Sequence, residues 1–311
     1  MPSNVESMFY VREAPWHGLG NRVEGALSSE EALIEAGLDW TVIQKSIQTE
    51  DYSEILGYKA NIRETDQRIL GVVTDRYKIV QNQEAFAFVD DMLGEGVKFE
   101  TAGSLQNGKR VWLLAKLPKD YVITGDQFCP YMLFSNSHDG TGSIKVAMTP
   151  IRIVCQNTLN LALANASRIW STVHKGNIQS KLDKAKETLL NAENYMDRLN
   201  KEAEQLHRIK IPDHKVQEYI KLLLPVSENA TKLRIKNIQQ LREDLHARYF
   251  EAPDLKEIGS NGYRFINAVS DFATHAKPLR ETATFQENLF MRTIDGNPLI
   301  DKAYELILDI A

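Results

Sequence analysis

The hydrophobic period of this chain changes once, near residue 175, and that change limits the fold more than any other feature. Before it, short β-branched and aromatic runs alternate at period two between Gly, Asn and Asp punctuation. After it, apolar residues recur every three or four positions and Leu, Lys, Glu and Ala dominate. Strands followed by helices predict an α+β fold rather than alternating βαβ units. The expected division is a strand-rich domain at 1–175, with an antiparallel sheet and a strand-strand-strand-helix core, and a helical region at 176–311. With 311 residues, 43% hydrophobic and 25% charged, the chain can bury a sizeable core, and its length suggests two domains or one domain with a long appendage.

Local signals place the elements. Ser28 with Glu31 forms a capping-box pattern and Gly37 a stop, so 29–36 reads as a short helix. Strands are expected at 40–48, 55–63 and 68–76, followed by a helix capped by Asn82 that carries Phe86, Val89, Met92 and Leu93 on one face. Asn107-Gly108 predicts a hairpin within 98–117. A second strand pair flanks Ser137-His138-Asp139-Gly140-Thr141-Gly142-Ser143, a helix is expected from about Gln156, and 168–174 reads as a last strand.

From Ile178 the apolar positions Leu182, Ala185, Leu189, Ala192, Met196, Leu199, Ala203 and Leu206 follow a 4,3 spacing, with Asn177 as N-cap. This predicts one long heptad-patterned helix, serving either as a packing face inside the fold or as an oligomerisation seam. Further helices are expected near 214–223, 228–248, 262–274 and 298–310.

Two cysteines, Cys129 and Cys155, fit a reducing compartment and are too few for a Cys-rich zinc module. The first twenty residues lack a basic segment followed by an apolar run, and no apolar stretch approaches the ~18 residues of a membrane span. A cytoplasmic location and no membrane partner are expected. Trp16-His17-Gly18 reads as an arm, docked on its own core or clipped onto a neighbouring subunit.

Side-chain chemistry for catalysis is thin. Cys155 follows an apolar strand, with His138 and His174 the nearest histidines, yet nothing around it matches a nucleophile signature. Ser137, His138 and Asp139 are adjacent, and neighbours on a strand point to opposite faces, so they cannot form a triad among themselves. Gly140-Thr141-Gly142-Ser143 lacks the Lys-Ser/Thr of a phosphate loop. His207 and His214 lack further zinc ligands, and Asp90-Asp91 and Asp120/Asp126 lack a second acidic cluster. The expectation is a protein with no catalytic residues, cofactor or metal.

Net charge is −5; residues 1–170 carry 16 Lys+Arg against 21 Asp+Glu, and residues 171–311 carry 21 of each. Any polyanion site must therefore be a local patch. Single strands are held by a basic groove with aromatic faces. The DNA-binding candidates are Lys59, Arg63, Arg68, Arg76, Lys78, Lys109, Arg110, Lys145 and Arg152, and the stacking candidates Tyr58, Tyr77 and Trp112. Lys59 and Arg63 share parity and so can face one side of a strand.

Ala14-Pro15-Trp16-His17-Gly18-Leu19-Gly20, SSEEALIEAGLDW, VTDRYKIVQNQEAF, SNSHDGTGSIKVAMTPIRIVCQNTLN and NGYRFINAVSDFATHAK together resemble the phage/plasmid-like proteins of unknown function found in prophages, phages and conjugative plasmids. The resemblance runs from about residue 8 to residue 305. The strand-strand-strand-helix order at 40–94 also resembles the core of the RecT and Redβ single-strand annealing proteins. That resemblance implies rings or filaments that anneal DNA without nucleotide or metal. The function expected is a DNA-binding recombination factor acting as a homo-oligomer on single-stranded DNA. The alternative is an anti-defence or anti-restriction protein that binds a host protein, favoured by the acidic balance; a hydrolase built on Cys155 or His138 stands third.

Overall fold

A computed structural model describes residues 5–11, 20–25, 27–94, 98–117, 119–152, 157–158, 163, 168–278, 292 and 296–309, without the side chains of residues 151, 152, 157, 158, 187–190 and 192. The fold is mixed α+β, with antiparallel sheets in the N-terminal part and helices in the C-terminal part. Two compact units are present: 1–118, 131–148 and 168–192 in the first, and 119–130, 149–167 and 193–311 in the second. The first unit thus keeps the chain up to residue 192, and the second takes two short excursions from the strand-rich part. No helix among the described residues is long and apolar enough to cross a membrane.

In the first unit, β1 (Val5–Val11), β2 (Asn21–Val23) and α1 (Ser29–Glu35) precede a meander of β3 (Val42–Gln48), β4 (Glu54–Arg63) and β5 (Arg68–Thr74). Then come α2 (Asn82–Leu93), β6 (Phe99–Leu105) and β7 (Arg110–Lys116). The predicted strand-strand-strand-helix order is present at β3-β4-β5-α2. The Ser28/Glu31 capping box forms as read. At α2 the cap moves by one residue: Gln81 and Glu84 make the box, and Asn82 turns inward to donate to the Leu38 carbonyl at 3.0 Å. The 106–108 turn closes the β6-β7 hairpin with Gln106, Asn107 and Gly108 all at positive φ.

β8 (Tyr121–Ile123) pairs with the start of β9 (Asp126–Ser137) within the second unit, and the remainder of β9 pairs with β7 in the first. β10 (Ile144–Arg152) is bordered by β12 (Ile169–Thr172) over Ile144–Ala147 and by β11 (Asn157–Thr158) over Ile151–Arg152. The helix expected from Gln156 is therefore replaced at Asn157–Thr158 by a two-residue strand, and most of its other residues, like Cys155 and Trp16-His17-Gly18, lie outside the described residues. In the first unit the larger sheet has the order β10-β9-β7-β6-β1-β2, and β3-β4-β5 is a separate sheet. Phe9, Phe86, Phe99, Phe134 and Ile144 lie in one buried cluster, joined by Leu182 and Ala185 of α3 (Ile178–Ala185).

The heptad stretch is two helices, α3 and α4 (Glu187–Arg208), interrupted at Lys186. This corrects the single long helix. Its described seam positions are used inside the protomer: Leu182 and Ala185 in the first unit's core, and Met196, Leu199, Ala203 and Leu206 buried at 0–2% exposure. They are not available to a second copy, which favours the packing-face alternative.

The second unit adds α5 (Asp213–Leu223), α6 (Lys232–Glu251), α7 (Pro253–Lys256), α8 (Gly262–His275) and α9 (Pro298–Asp309). α8 is its centre, with every residue from Gly262 to Ser270 buried. Close approach at its start needs the absent side chain: a Cβ on Gly262 would sit 2.7 Å from Ile307 Cγ2 and 3.0 Å from the Leu206 carbonyl oxygen. Buried Arg264 spends its fork on the Tyr249 carbonyl, which accepts from Nε at 2.9 Å and Nη2 at 2.7 Å.

Candidate nucleic-acid interface

Register assigns the two faces of the small sheet, because directly opposed residues share a face. Ile43–Ile62–Ile69 and Lys45–Ala60–Val72 are cross-strand rows on one face, and the pair Tyr58–Thr74 continues it. Gln44–Asn61–Gly71, Ser46–Lys59–Val73 and Val42–Arg63–Arg68 form the other.

The second face is covered. A Cβ on Gly71 would meet the Asp139 carbonyl oxygen at 2.5 Å, and one on Gly140 would meet Val73 Cγ1 at 2.8 Å, so the 137–142 loop lies directly on the strands. Asn61 Nδ2 donates to the His138 carbonyl at 2.7 Å, and the Tyr77 hydroxyl donates to the Ser137 carbonyl. Within the loop, Ser137 Oγ and the Thr141 amide donate to Asp139 Oδ1 at 2.5 and 2.9 Å. Burial pushes the Asp139 carboxyl up, but these hydrogen bonds outweigh it and hold the group below the usual range.

His138 points the other way, as strand alternation requires. Its Nε2 lies 3.0 Å from Asn82 Oδ1, and because the Asn82 amide nitrogen already donates, Nε2 is the protonated ring nitrogen. Full burial, with His174 nearby, pushes the ring down to about 3. Ser137 and Asp139 meet, but the imidazole is on the far side and sealed from solvent, which leaves the loop a structural clamp and removes support for a hydrolase on His138.

The predicted residues separate accordingly. Lys59 and Arg63 do share a face, and it is the covered one. Arg63, 7% exposed, binds Glu6 through Nη1 and Nη2 at 2.9 and 2.8 Å and Asp66 through Nε and Nη2 at 2.9 and 2.7 Å, with its guanidinium over the Trp40 ring. Arg68 bonds the same Glu6 at 2.8 Å. These two arginines are spent on carboxylates; the Arg63 hydrogen bonds hold Asp66 well below the usual carboxylate range. Tyr77 is buried and stacked on His174 at 4.5 Å between centroids, and Trp112 is buried across Gly103. Neither ring can stack on a base as placed, which corrects both assignments. Arg110 is partly buried beside the loop, with Nη2 3.4 Å from Thr141 Oγ1. Lys109 lends its carbonyl to the His138 amide at 2.7 Å, and Lys145 lies partly buried opposite Ser171 on β12. The Arg152 side chain lies outside the described residues.

What remains on or beside the open face is Tyr58, 51% exposed, with Arg76 and Lys78 exposed just past β5. The structure adds three residues that the reading by composition missed. Ile69 and Val72 are 62% and 56% exposed, and Lys45 is exposed in the middle row, where Gln67 accepts from its Nζ at 2.7 Å. The signal for Lys45 was the alternation of β3 itself, which places Ile43, Lys45 and Ile47 together.

A family model described as a domain of unknown function (DUF932) matches residues 69–293, beginning within β5 and running past α8. No curated protein and no solved structure matches the chain.

Proposed function

The chain belongs to the DUF932 family, a domain of unknown function, and from that premise we propose that it is a single-strand DNA binding and annealing protein acting as an oligomer. One observation supports this most: an aromatic ring and a lysine stand in solvent on a sheet face lined by aliphatic side chains, with Arg76 and Lys78 exposed in the segment that follows β5. Bases stack on Tyr58 and lie against Ile69 and Val72, while Lys45 and Arg76 meet phosphates; every base has a π-face, so such a platform binds without regard to sequence. The setting proposed is the cytoplasm of a cell carrying a phage or conjugative plasmid, where annealing serves recombination of the element's genome.

The second reading, a platform for a host protein, is favoured by the aliphatic excess around a single lysine on that face. Annealing of complementary labelled oligonucleotides by the purified protein, with light scattering on the same sample, separates the two. Acceleration by an assembly larger than a dimer supports the annealing reading. A monomer that leaves the annealing rate unchanged rejects it and leaves the face to a protein partner.

A further inference from the structure

We propose that the first half of α6 is a docking helix for duplex DNA, seated in the major groove. Residues 229–242 (NATKLRIKNIQQLR) carry four cations and no acid in a chain of net −5, with Glu228 and Glu243 bounding the run. The far half of the helix is anchored: Leu245 and Tyr249 are fully buried, and Arg242 holds the end of α5 through two hydrogen bonds to the Leu224 carbonyl, 3.0 and 2.7 Å. The near half is free. Every residue from Lys232 to Lys236 is exposed, and none of the three cations there is paired with a described residue.

At 100° per residue, Lys232, Lys236, Gln239 and Gln240 fall on one side of α6, which is the exposed side, with Leu233 at its margin and Glu243 closing it at the far end. That stripe matches a duplex. Lysines neutralise phosphates, and glutamines can hydrogen-bond base edges in a groove about as wide as a helix with its side chains. The exposed apolar residues argue against a membrane: Leu233 and Ile235, 69% and 41% exposed, lie two positions apart and so on different sides, and no single apolar face exists to enter a bilayer. The deep, narrow major groove of duplex RNA would not admit the helix. This inference uses a different element and a different DNA form from the sheet platform and does not rest on it.

The test uses the full chain and its Lys232→Gln/Lys236→Gln and Lys232→Glu/Lys236→Glu variants. Fluorescence anisotropy is measured against duplex DNA, duplex RNA and single-stranded DNA across a salt series, with capture by phosphatidylserine vesicles in parallel. Both sites are solvent-exposed, and unchanged circular dichroism melts confirm intact folding. Wild type is expected to bind duplex DNA more tightly than duplex RNA. The glutamine pair should lower the slope of log K against log salt by about 1.8, and the glutamate pair should weaken duplex binding by roughly tenfold or more, with single-strand binding retained. Absence of duplex binding at low salt, duplex affinity unchanged in the glutamate variant, equal binding of duplex RNA, or capture by vesicles in place of DNA would each overturn the proposal.

Discussion

On one face of the β3-β4-β5 sheet, Asn61 and Gly71 are shut beneath the 137–142 loop and Arg63 is held between Glu6 and Asp66; on the other, Tyr58, Ile69 and Val72 stand in solvent. Burial alone would place the residues the other way round. Polar groups tolerate the covered face because each has found a partner: an amide on a carbonyl, and a guanidinium on two carboxylates. On the apolar face Ala60 and Ile62 are buried in the central strand, but Tyr58, Ile69 and Val72 around them stay exposed although covering them would stabilise the fold, which is what a surface kept for binding looks like.

The covered face should fail first when broken. Arg63→Met leaves Glu6 and Asp66 to the more exposed Arg68 and is expected to cost about 2 kcal/mol in urea unfolding, below the range for a fully buried ion pair because both carboxylates are partly exposed. Gly71→Ala drives a methyl into the Asp139 backbone and should cost about 2 kcal/mol by the same measurement. Acid tests the buried His138 ring as well. The unfolded His138 ring binds a proton near pH 6.5 and the folded one only near 3, so between those values the unfolded chain holds more protons and stability falls as pH drops. His138→Gln should lower the slope of unfolding free energy against pH between 4.5 and 6 by up to about 1.4 kcal/mol per pH unit. Equal slopes in variant and wild type would show that the ring titrates normally. On the open face, Val72→Thr should change stability by less than about 0.5 kcal/mol. A larger loss would mean that Val72 packs against something in solution.

The same contrast explains what the sequence made legible. Strand alternation placed Lys59 and Arg63 together correctly, and it separated Ser137 and Asp139 from the His138 ring. It could not say which face the 137–142 loop would cover, because that depends on a loop some seventy residues away. Asn82 reads locally as a cap, but its amide is drawn inward by the Leu38 carbonyl and His138, contacts that exist only after folding. The 4,3 spacing announced buried helix faces without revealing the interruption at Lys186 or the sharing of the seam between two cores. The cationic run on α6 disappears in the sum over residues 171–311, where 21 charges of each sign cancel.

The most direct test is Tyr58→Ala, measured for single-stranded DNA affinity at low salt and for thermal stability in the same buffer. Tyr58 lies on the open face, so the melting temperature should stay within about 2 °C while affinity falls at least fivefold, the lower end of one lost base stack. Unchanged affinity would contradict the claim that this face is the DNA platform. A large fall in melting temperature would contradict the claim that the face is open.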